Sequence, residues 1–232
     1  MRLPVRVGRR QSSTAVPPGT AGHWPACIPT QYSHMVQPPQ PAHRGWTSRG
    51  YLPHFDAADT WQSITYRLAD AMPRHVIAGM ERDLTIAPDD ERDRERERRR
   101  RVEAWLDAGH GSCVLRRDDI AALTLETWTR FAGSRYDLGP WVIMPNHVHL
   151  LIRVNPGHTL ATSVGSWKSY TAKRIMALAG MSAPIWWPEY WDRFIRDEAH
   201  WRSVGNYIER NPVVAGLARS PQEWRWGSAG QG

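Results

Sequence analysis

The apolar run from Trp141 to Val154, broken in its middle by Pro145 and Asn146, constrains this chain more than any other segment. Tyr136 to Met144 reads as a strand before the break, and His147 to Val154 alternates with period two after it. Val148, Leu150, Ile152 and Val154 then share one face, while His147, His149, Leu151 and Arg153 share the other. Two strands joined by so short a turn form a hairpin, and a wholly aliphatic face requires other elements to cover it. The break also excludes a membrane helix, which needs roughly 18 to 20 uninterrupted apolar residues.

The covering elements can be read on either side. Thr60 to Leu68 alternates as a strand, with Ile64, Tyr66 and Leu68 on one face and Ser63, Thr65 and Arg67 on the other. Pro88-Asp89-Asp90 starts a helix to about Asp107, laced by Glu91–Arg94, Glu95–Arg99 and Glu97–Arg101 pairs and docked only through Val102, Trp105 and Leu106. Its acids nearly cancel its bases, so it reads as a solvated face. Asp118 or Asp119 caps a helix with Ile120, Leu123, Trp128 and Phe131 inward, ended by Gly133. After the hairpin come a helix from about Leu160 to Leu178, an aromatic loop from Pro184 to Pro188, and a short strand from Asp192 to Arg196. A helix from Asp197 to Arg210 follows, and Asn211-Pro212 opens a short last helix. This order predicts an α+β fold, a ferredoxin-like split βαβ antiparallel sheet with helices packed on it.

Residues 1–49 contain six arginines and no acid, and are rich in Pro, Ser, Thr and Gln, which predicts a disordered basic tail. The expected folded domain is 50–228, with 229–232 as a C-terminal tail. Net charge is +7, of which residues 146–232 carry ten bases against six acids. Basicity of this kind suits a polyanion such as nucleic acid, or a merely solvated arginine-rich surface. Two cysteines cannot make a disulfide framework or a four-thiolate metal site. With no signal-like apolar stretch after the amino-terminal arginines, a cytoplasmic, nucleoid-associated protein is expected. Seven of the 13 tryptophans lie from Trp167 onward, and most are expected in the core, with Trp186, Trp187 and Trp191 as candidates for base stacking.

Two imidazoles two residues apart on a strand point the same way and can chelate one divalent ion; they can also sit on a wetted sheet face. A histidine-triad nucleotidyl transferase would want a third histidine at position 151, where Leu stands. A metallohydrolase barrel would need more strands and ligands than this chain offers. On the last long helix Tyr207 and Asn211 are four residues apart and project from one side. Tyr207 could be a nucleophile or a half-buried aromatic; Asn211 could be a ligand or the cap before Pro212. Tyr170 is a rival tyrosine, on a helix face expected to be packed, and Tyr190 lies in the aromatic loop without a ligand partner.

Taken together these residues resemble a known family. Trp-Val-Ile-Met-Pro-Asn-His-Val-His-Leu-Leu (141–151) is similar to the His-hydrophobic-His signature of HUH-type single-tyrosine transposases, and Tyr-Ile-Glu-Arg-Asn-Pro-Val-Val-Ala-Gly-Leu (207–217) to their tyrosine helix. Leu-Pro-His-Phe-Asp (52–56), Trp-Lys-Ser-Tyr-Thr (167–171), Asp-Arg-Phe-Ile-Arg-Asp (192–197) and Trp-Arg-Trp-Gly-Ser (224–228) resemble the REP-associated tyrosine transposases in particular. The resemblance implies that His147, His149 and Asn211 bind Mg²⁺ or Mn²⁺ and that Tyr207 attacks a DNA phosphate, leaving a 5′-phosphotyrosine and a free 3′-hydroxyl. It implies single-stranded DNA hairpins as partners, with a monomer or a homodimer both open. Lys168, Lys173, Arg174, Arg193, Arg196 and Arg202 are the expected phosphate contacts. No residue stands out as a general base. A non-catalytic hairpin-binding protein of the same fold is the alternative.

Overall fold

The computed structural model describes residues 45–48, 53–56, 58–86 and 90–231. Two short strands, β1 (Gly45–Ser48) and β2 (Pro53–Asp56), pair antiparallel as a ribbon, so strand structure begins before residue 50. The expected disorder of residues 1–44 lies outside the described residues. The main sheet has the order β4-β5-β3-β6, built from β3 (Trp61–Arg67), β4 (Tyr136–Ile143), β5 (His147–Val154) and β6 (Trp191–Phe194), with every neighbouring pair antiparallel. Both β3 and β4 run antiparallel to β5, so they are parallel to one another across it. The chain between them holds α1 (Arg74–Ile86), α2 (Glu91–Asp107) and α3 (Asp118–Thr129). Likewise β5 and β6 flank β3, joined through α4 (Leu160–Ala179). The last helix is α5 (Glu198–Val214). This is the split βαβ arrangement that the sequence predicts.

Side-chain alternation on β5 divides the core in two. Val148, Leu150, Ile152 and Val154 join Ile64 and Tyr66 of β3 in a large cluster with Ile120, Trp128, Val164 and Trp167 of α3 and α4. On the other face Leu151 packs with Val142, Met144, Ile195 and Ile208, beneath α5. The tryptophan load is mostly core, as expected, and three of the buried indoles donate to hydroxyl groups. Trp128 donates to the Tyr66 hydroxyl at 2.9 Å, Trp167 to the Tyr136 hydroxyl at 3.0 Å, and Trp186 to the Thr171 hydroxyl at 2.8 Å. Those bonds satisfy N–H groups that would otherwise be desolvated for nothing.

Several local expectations are corrected. Helix α1 has no counterpart in the sequence reading, although Val76, Ile77, Met80 and Leu84 follow Pro73 at helical spacing and pack inward. Arg117, not Asp118 or Asp119, is the N-cap of α3; both acids lie in its first turn, where the helix dipole favours them. Asp118 instead accepts from Arg225 and from the Trp226 indole at 2.9 Å, clasping the C-terminal segment. That segment continues along the edge of β4, where Ile143 N–H donates to Trp226 O at 2.8 Å. Asn211-Pro212 does not open a new helix, since α5 runs through it to Val214. Proline so near the end removes only one helical donor, and the buried ring packs instead of breaking the turn.

Helix α5 lies close on the sheet because β4 is irregular between Leu138 and Trp141 and because residue 205 is glycine. A Cβ at Gly205 would stand 3.1 Å from Pro140 Cγ, so a larger side chain must lift the helix that carries Tyr207. Gly205→Val is expected to lower stability by about 1–3 kcal/mol, read as a reduced urea midpoint at unchanged slope.

Candidate active site

His147 and His149 leave β5 on the face beneath α5, as period two requires, and both are buried. Their rings meet edge to face with centroids 4.7 Å apart. Each ring is held through one nitrogen. Nδ1 of His147 lies 2.7 Å from Asn146 Oδ1, and Asn146 Nδ2 donates to Leu106 O and His110 O, which fixes that amide's orientation. Oδ1 can only accept, so His147 carries its proton on Nδ1 and presents a bare lone pair on Nε2. Nδ1 of His149 is 2.7 Å from Thr65 Oγ1, the residue directly opposite it on β3. Burial pushes His149 down to about 4, and His147 falls well below its ordinary value through burial and then its neighbour His149. Both are neutral at pH 7.

The free nitrogens converge with α5. Nε2 of both histidines and Oδ1 of Asn211 are buried without a hydrogen-bond partner. Asn211 is buried one helical turn beyond Tyr207 on α5, and its amide favours the ionised form of the Tyr207 hydroxyl. Tyr207 packs on His149 with ring centroids 5.9 Å apart and, as a residue, is 39% exposed, so the cluster reaches solvent on the Tyr207 side. Burial, followed by the carboxylates of Glu103 and Asp107, pushes the Tyr207 hydroxyl well above its ordinary value. Unassisted, this phenol is a poor nucleophile at neutral pH.

Those two carboxylates are the residues that sequence reasoning missed. Helix α2 runs past the cluster and presents Arg99, Glu103 and Asp107 toward it, one helical turn apart. With Ser63, Thr65, His149, Trp191, Arg193, His200 and Tyr207, the first two line a cleft of about 420 Å³. Glu103 lines the same cleft as Tyr207, and burial raises its carboxyl above the usual range. Asp107 Oδ1 stands 3.8 Å from His147 Nε2, too far for a hydrogen bond. With His147 neutral and Asp107 pushed up to about 6 by burial and then by Glu103, the two are not an ion pair. The signal was present at fourfold spacing: Val102 and Leu106 dock the helix, so 99, 103 and 107 flank the docked stripe. Glu97 binds Arg101 as expected, but Arg98 rather than Arg99 takes Glu95, and Arg98 also reaches Glu81 of α1 at 2.6 Å. The side chain of Glu91 lies outside the described residues.

The expected phosphate contacts divide. Arg193 lines the cleft, and its pKa is lowered by burial and then by Arg99 and Arg196, so three guanidiniums cluster at this mouth. Arg202 is exposed and bound to Glu198. Lys173 and Arg174 are exposed on α4, which packs on the other face of the sheet, so they do not line the cleft. Lys168 is committed: its ammonium donates to Trp187 O and Pro188 O at 2.6 Å each, and burial lowers it to about 8. Among the aromatic candidates Trp186 is buried at 5% exposure and excluded from stacking. Trp187 lies under the Arg67 guanidinium at 4.3 Å, and Trp191 lines the cleft. Tyr170 is 48% exposed rather than packed, on a helix remote from the histidine face, and Tyr190 packs against the large core.

Residues 128–211 match the family described as transposase IS200 like, a span that ends on Asn211 and includes His147, His149 and Tyr207. The resemblance to REP-associated tyrosine transposases is found independently: the chain is 27% identical over 89 residues to the REP-associated tyrosine transposase of Escherichia coli (strain K12). That alignment covers 38% of this chain, and it spans about half (52%) of that curated relative. A solved REP-associated tyrosine transposase bound to a REP hairpin aligns at 15% identity and a TM-score of 0.48, over 78% of this chain and 84% of that one. A putative transposase from Deinococcus radiodurans R1 aligns at 17% identity and a TM-score of 0.28, over 71% and 96%. Helix α2, with Arg99, Glu103 and Asp107, precedes the family-matched span.

Asp107 gives the site a testable signature. Its carboxyl titrates at about 6 when folded against 3.8 unfolded, so its contribution to stability is complete below the lower value and lost as pH rises through the higher. In metal-free protein, Asp107→Asn is therefore expected to raise stability at pH 7.5 by on the order of 1 kcal/mol after allowance for solvent screening. Denaturant titrations should show that gain vanish toward about pH 4.

Proposed function

We propose that this protein is a metal-dependent transposase that cleaves and rejoins single-stranded hairpin DNA through a 5′-phosphotyrosine on Tyr207. The observation that carries this reading is the convergence of three buried, unpartnered donor atoms, His147 Nε2, His149 Nε2 and Asn211 Oδ1, on the side of Tyr207. Buried polar atoms ordinarily have partners, and three together suit a ligand that accepts lone pairs. Two imidazoles and an amide oxygen fit a divalent cation such as Mn²⁺ or Mg²⁺. Among the described residues no three His, Cys, Asp or Glu side chains are grouped to hold a metal. In this reading the Asn211 amide oxygen is the third ligand. When bound, the ion would supply Lewis-acid polarisation of the scissile phosphate.

This chain's own groups do the rest. Asn146 and Thr65 hold the imidazoles by their Nδ1 atoms, the arrangement that orients metal-binding histidines elsewhere. Asn211 stands one helical turn from Tyr207 with its Oδ1 buried and unpartnered. The raised Tyr207 hydroxyl stays protonated at rest, which keeps the nucleophile from reacting before a substrate and cation are present. Arg99 and Arg193 at the cleft mouth would neutralise a phosphodiester backbone, and Trp191 would stack an unpaired base. The name of the Escherichia coli relative, a REP-associated tyrosine transposase, suggests REP-like DNA as the substrate class. Cleavage conserves bond energy in the phosphotyrosine, so a 3′-hydroxyl can reverse it without ATP.

The test is a 3′-labelled single-stranded hairpin incubated with protein and Mn²⁺, then run on a denaturing gel. A labelled band that stays with the protein is expected, lost with EDTA, with Tyr207→Phe and with His149→Ala. Tyr207→Phe should still shift the hairpin in a native gel. A shift with no covalent band in the unmodified protein would show a binding protein instead.

A further inference from the structure

We infer that Asp107, the last residue of helix α2, is a fourth ligand of the divalent cation and binds it through Oδ1 on the His147 side of the site. The inference rests on the cation-site reading above and extends it to a helix that precedes the family-matched residues.

Distance and burial single this carboxylate out. Asp107 Oδ1 stands 3.8 Å from His147 Nε2, and both atoms are buried without a hydrogen-bond partner. At that separation they do not bond to each other. Small divalent cations hold nitrogen and oxygen ligands at roughly 2.0–2.2 Å, so two ligands of one ion can stand up to about 4 Å apart. The gap is too long for a hydrogen bond and short enough for one cation to bridge. Among the described residues no three His, Cys, Asp or Glu side chains are grouped to hold a metal. Asp107 therefore joins the cluster through His147 and adds to Asn211 rather than replacing it.

Charge and support point the same way. Two imidazoles and an amide bind a metal as neutral ligands, and by themselves they would leave a divalent charge uncompensated in a buried place. A carboxylate supplies negative charge and a hard oxygen, which suits Mn²⁺ or Mg²⁺ better than softer ions. The bonds that orient His147 also hold the backbone on either side of Asp107. Asn146 Nδ2 donates to Leu106 O and to His110 O, while Asn146 Oδ1 lies 2.7 Å from His147 Nδ1. One amide thus sets the spacing between the two ligand atoms. In metal-free protein the orphaned carboxylate oxygen costs stability, because its desolvation is offset by no partner. A bound cation removes that cost.

Mn²⁺ alone is the probe, added to purified protein whose aspartates carry ¹³C in the side-chain carboxyl. Electron–nuclear double resonance at saturating Mn²⁺ should show the ¹³C coupling of a directly bound carboxylate. Asp107→Asn should lose that coupling and keep the nitrogen modulation of the imidazoles. Its affinity for Mn²⁺ should fall at least about tenfold, while its metal-free unfolding midpoint is no lower than that of the unmodified protein. A coupling that persists in Asp107→Asn, or none in unmodified protein that does show nitrogen modulation, would overturn the inference and leave the His147–His149–Asn211 site standing. Unchanged Mn²⁺ affinity in Asp107→Asn would do the same. A loss of affinity in Asp107→Asn with no carboxyl coupling in the unmodified protein would also overturn it, because Asp107 would then act through a bound water. Failure of Mn²⁺ to bind the unmodified protein, or binding without nitrogen modulation, would overturn the cation-site reading itself, and this ligand with it.

Discussion

The amide of Asn146 is the joint on which the site depends. This residue is buried in the turn between β4 and β5, and its Nδ2 bonds two carbonyls, Leu106 O in the last turn of α2 and His110 O just beyond it. Its Oδ1 takes the Nδ1 proton of His147, and its backbone carbonyl accepts from Leu68 N–H at the end of β3. One side chain therefore ties the end of α2 to the strand hairpin and fixes which nitrogen of His147 faces the cleft. An aspartate or alanine here would leave buried carbonyls unpaired and the imidazole free to turn. The proton position on His147, and through it the chemistry available on the inner face of β5, follows from this bond.

From that joint the functional groups fall on three separate elements. Strand β5 contributes two lone pairs, α5 an amide oxygen and a phenol four residues apart, and α2 a carboxylate that stands toward His147. None of these elements is adjacent in sequence to another, and the sheet order brings them together: β5 lies inside the sheet between β4 and β3, while α5 crosses its histidine face. The close seating of α5 depends on Gly205 over Pro140. The opposite face is sealed by α3, α4 and the tryptophan–tyrosine hydrogen bonds, so only one side of the sheet is free to hold a site.

Much of this was legible because period two and period 3.6 are strong signals. The alternation of β5 separated the histidines from the aliphatic row, and the spacing of Tyr207 and Asn211 put both on one side of a helix. The hairpin at Pro145-Asn146 and the split βαβ order were equally clear. What was hidden depended on tertiary context. The charged face of α2 looked solvated because Glu and Arg cancel in the sequence, yet only the docked edge decides which of those charges enter a cleft. Among the described residues Arg98, not Arg99, takes Glu95 and Glu81, which no local rule distinguishes. Asn211-Pro212 has the local chemistry of a helix start, but packing of Ile208 and Pro212 carries the helix through. Lys168 looked like a phosphate contact and is instead held by two loop carbonyls. Aromatic residues read as one class in composition divide by burial into Trp186 inside and Trp191 at the cleft.

The central claim is that the orphaned atoms of His147, His149 and Asn211 form one cation site beside Tyr207. Pulsed electron paramagnetic resonance of Mn²⁺ bound to the purified protein tests it directly, because directly coordinated imidazole nitrogens modulate the echo. The account predicts nitrogen modulation from two imidazoles, reduced to that of one in His147→Gln and abolished when both histidines are replaced. Tight Mn²⁺ binding without nitrogen modulation, or modulation unchanged in the double variant, would place the ion elsewhere and contradict the account.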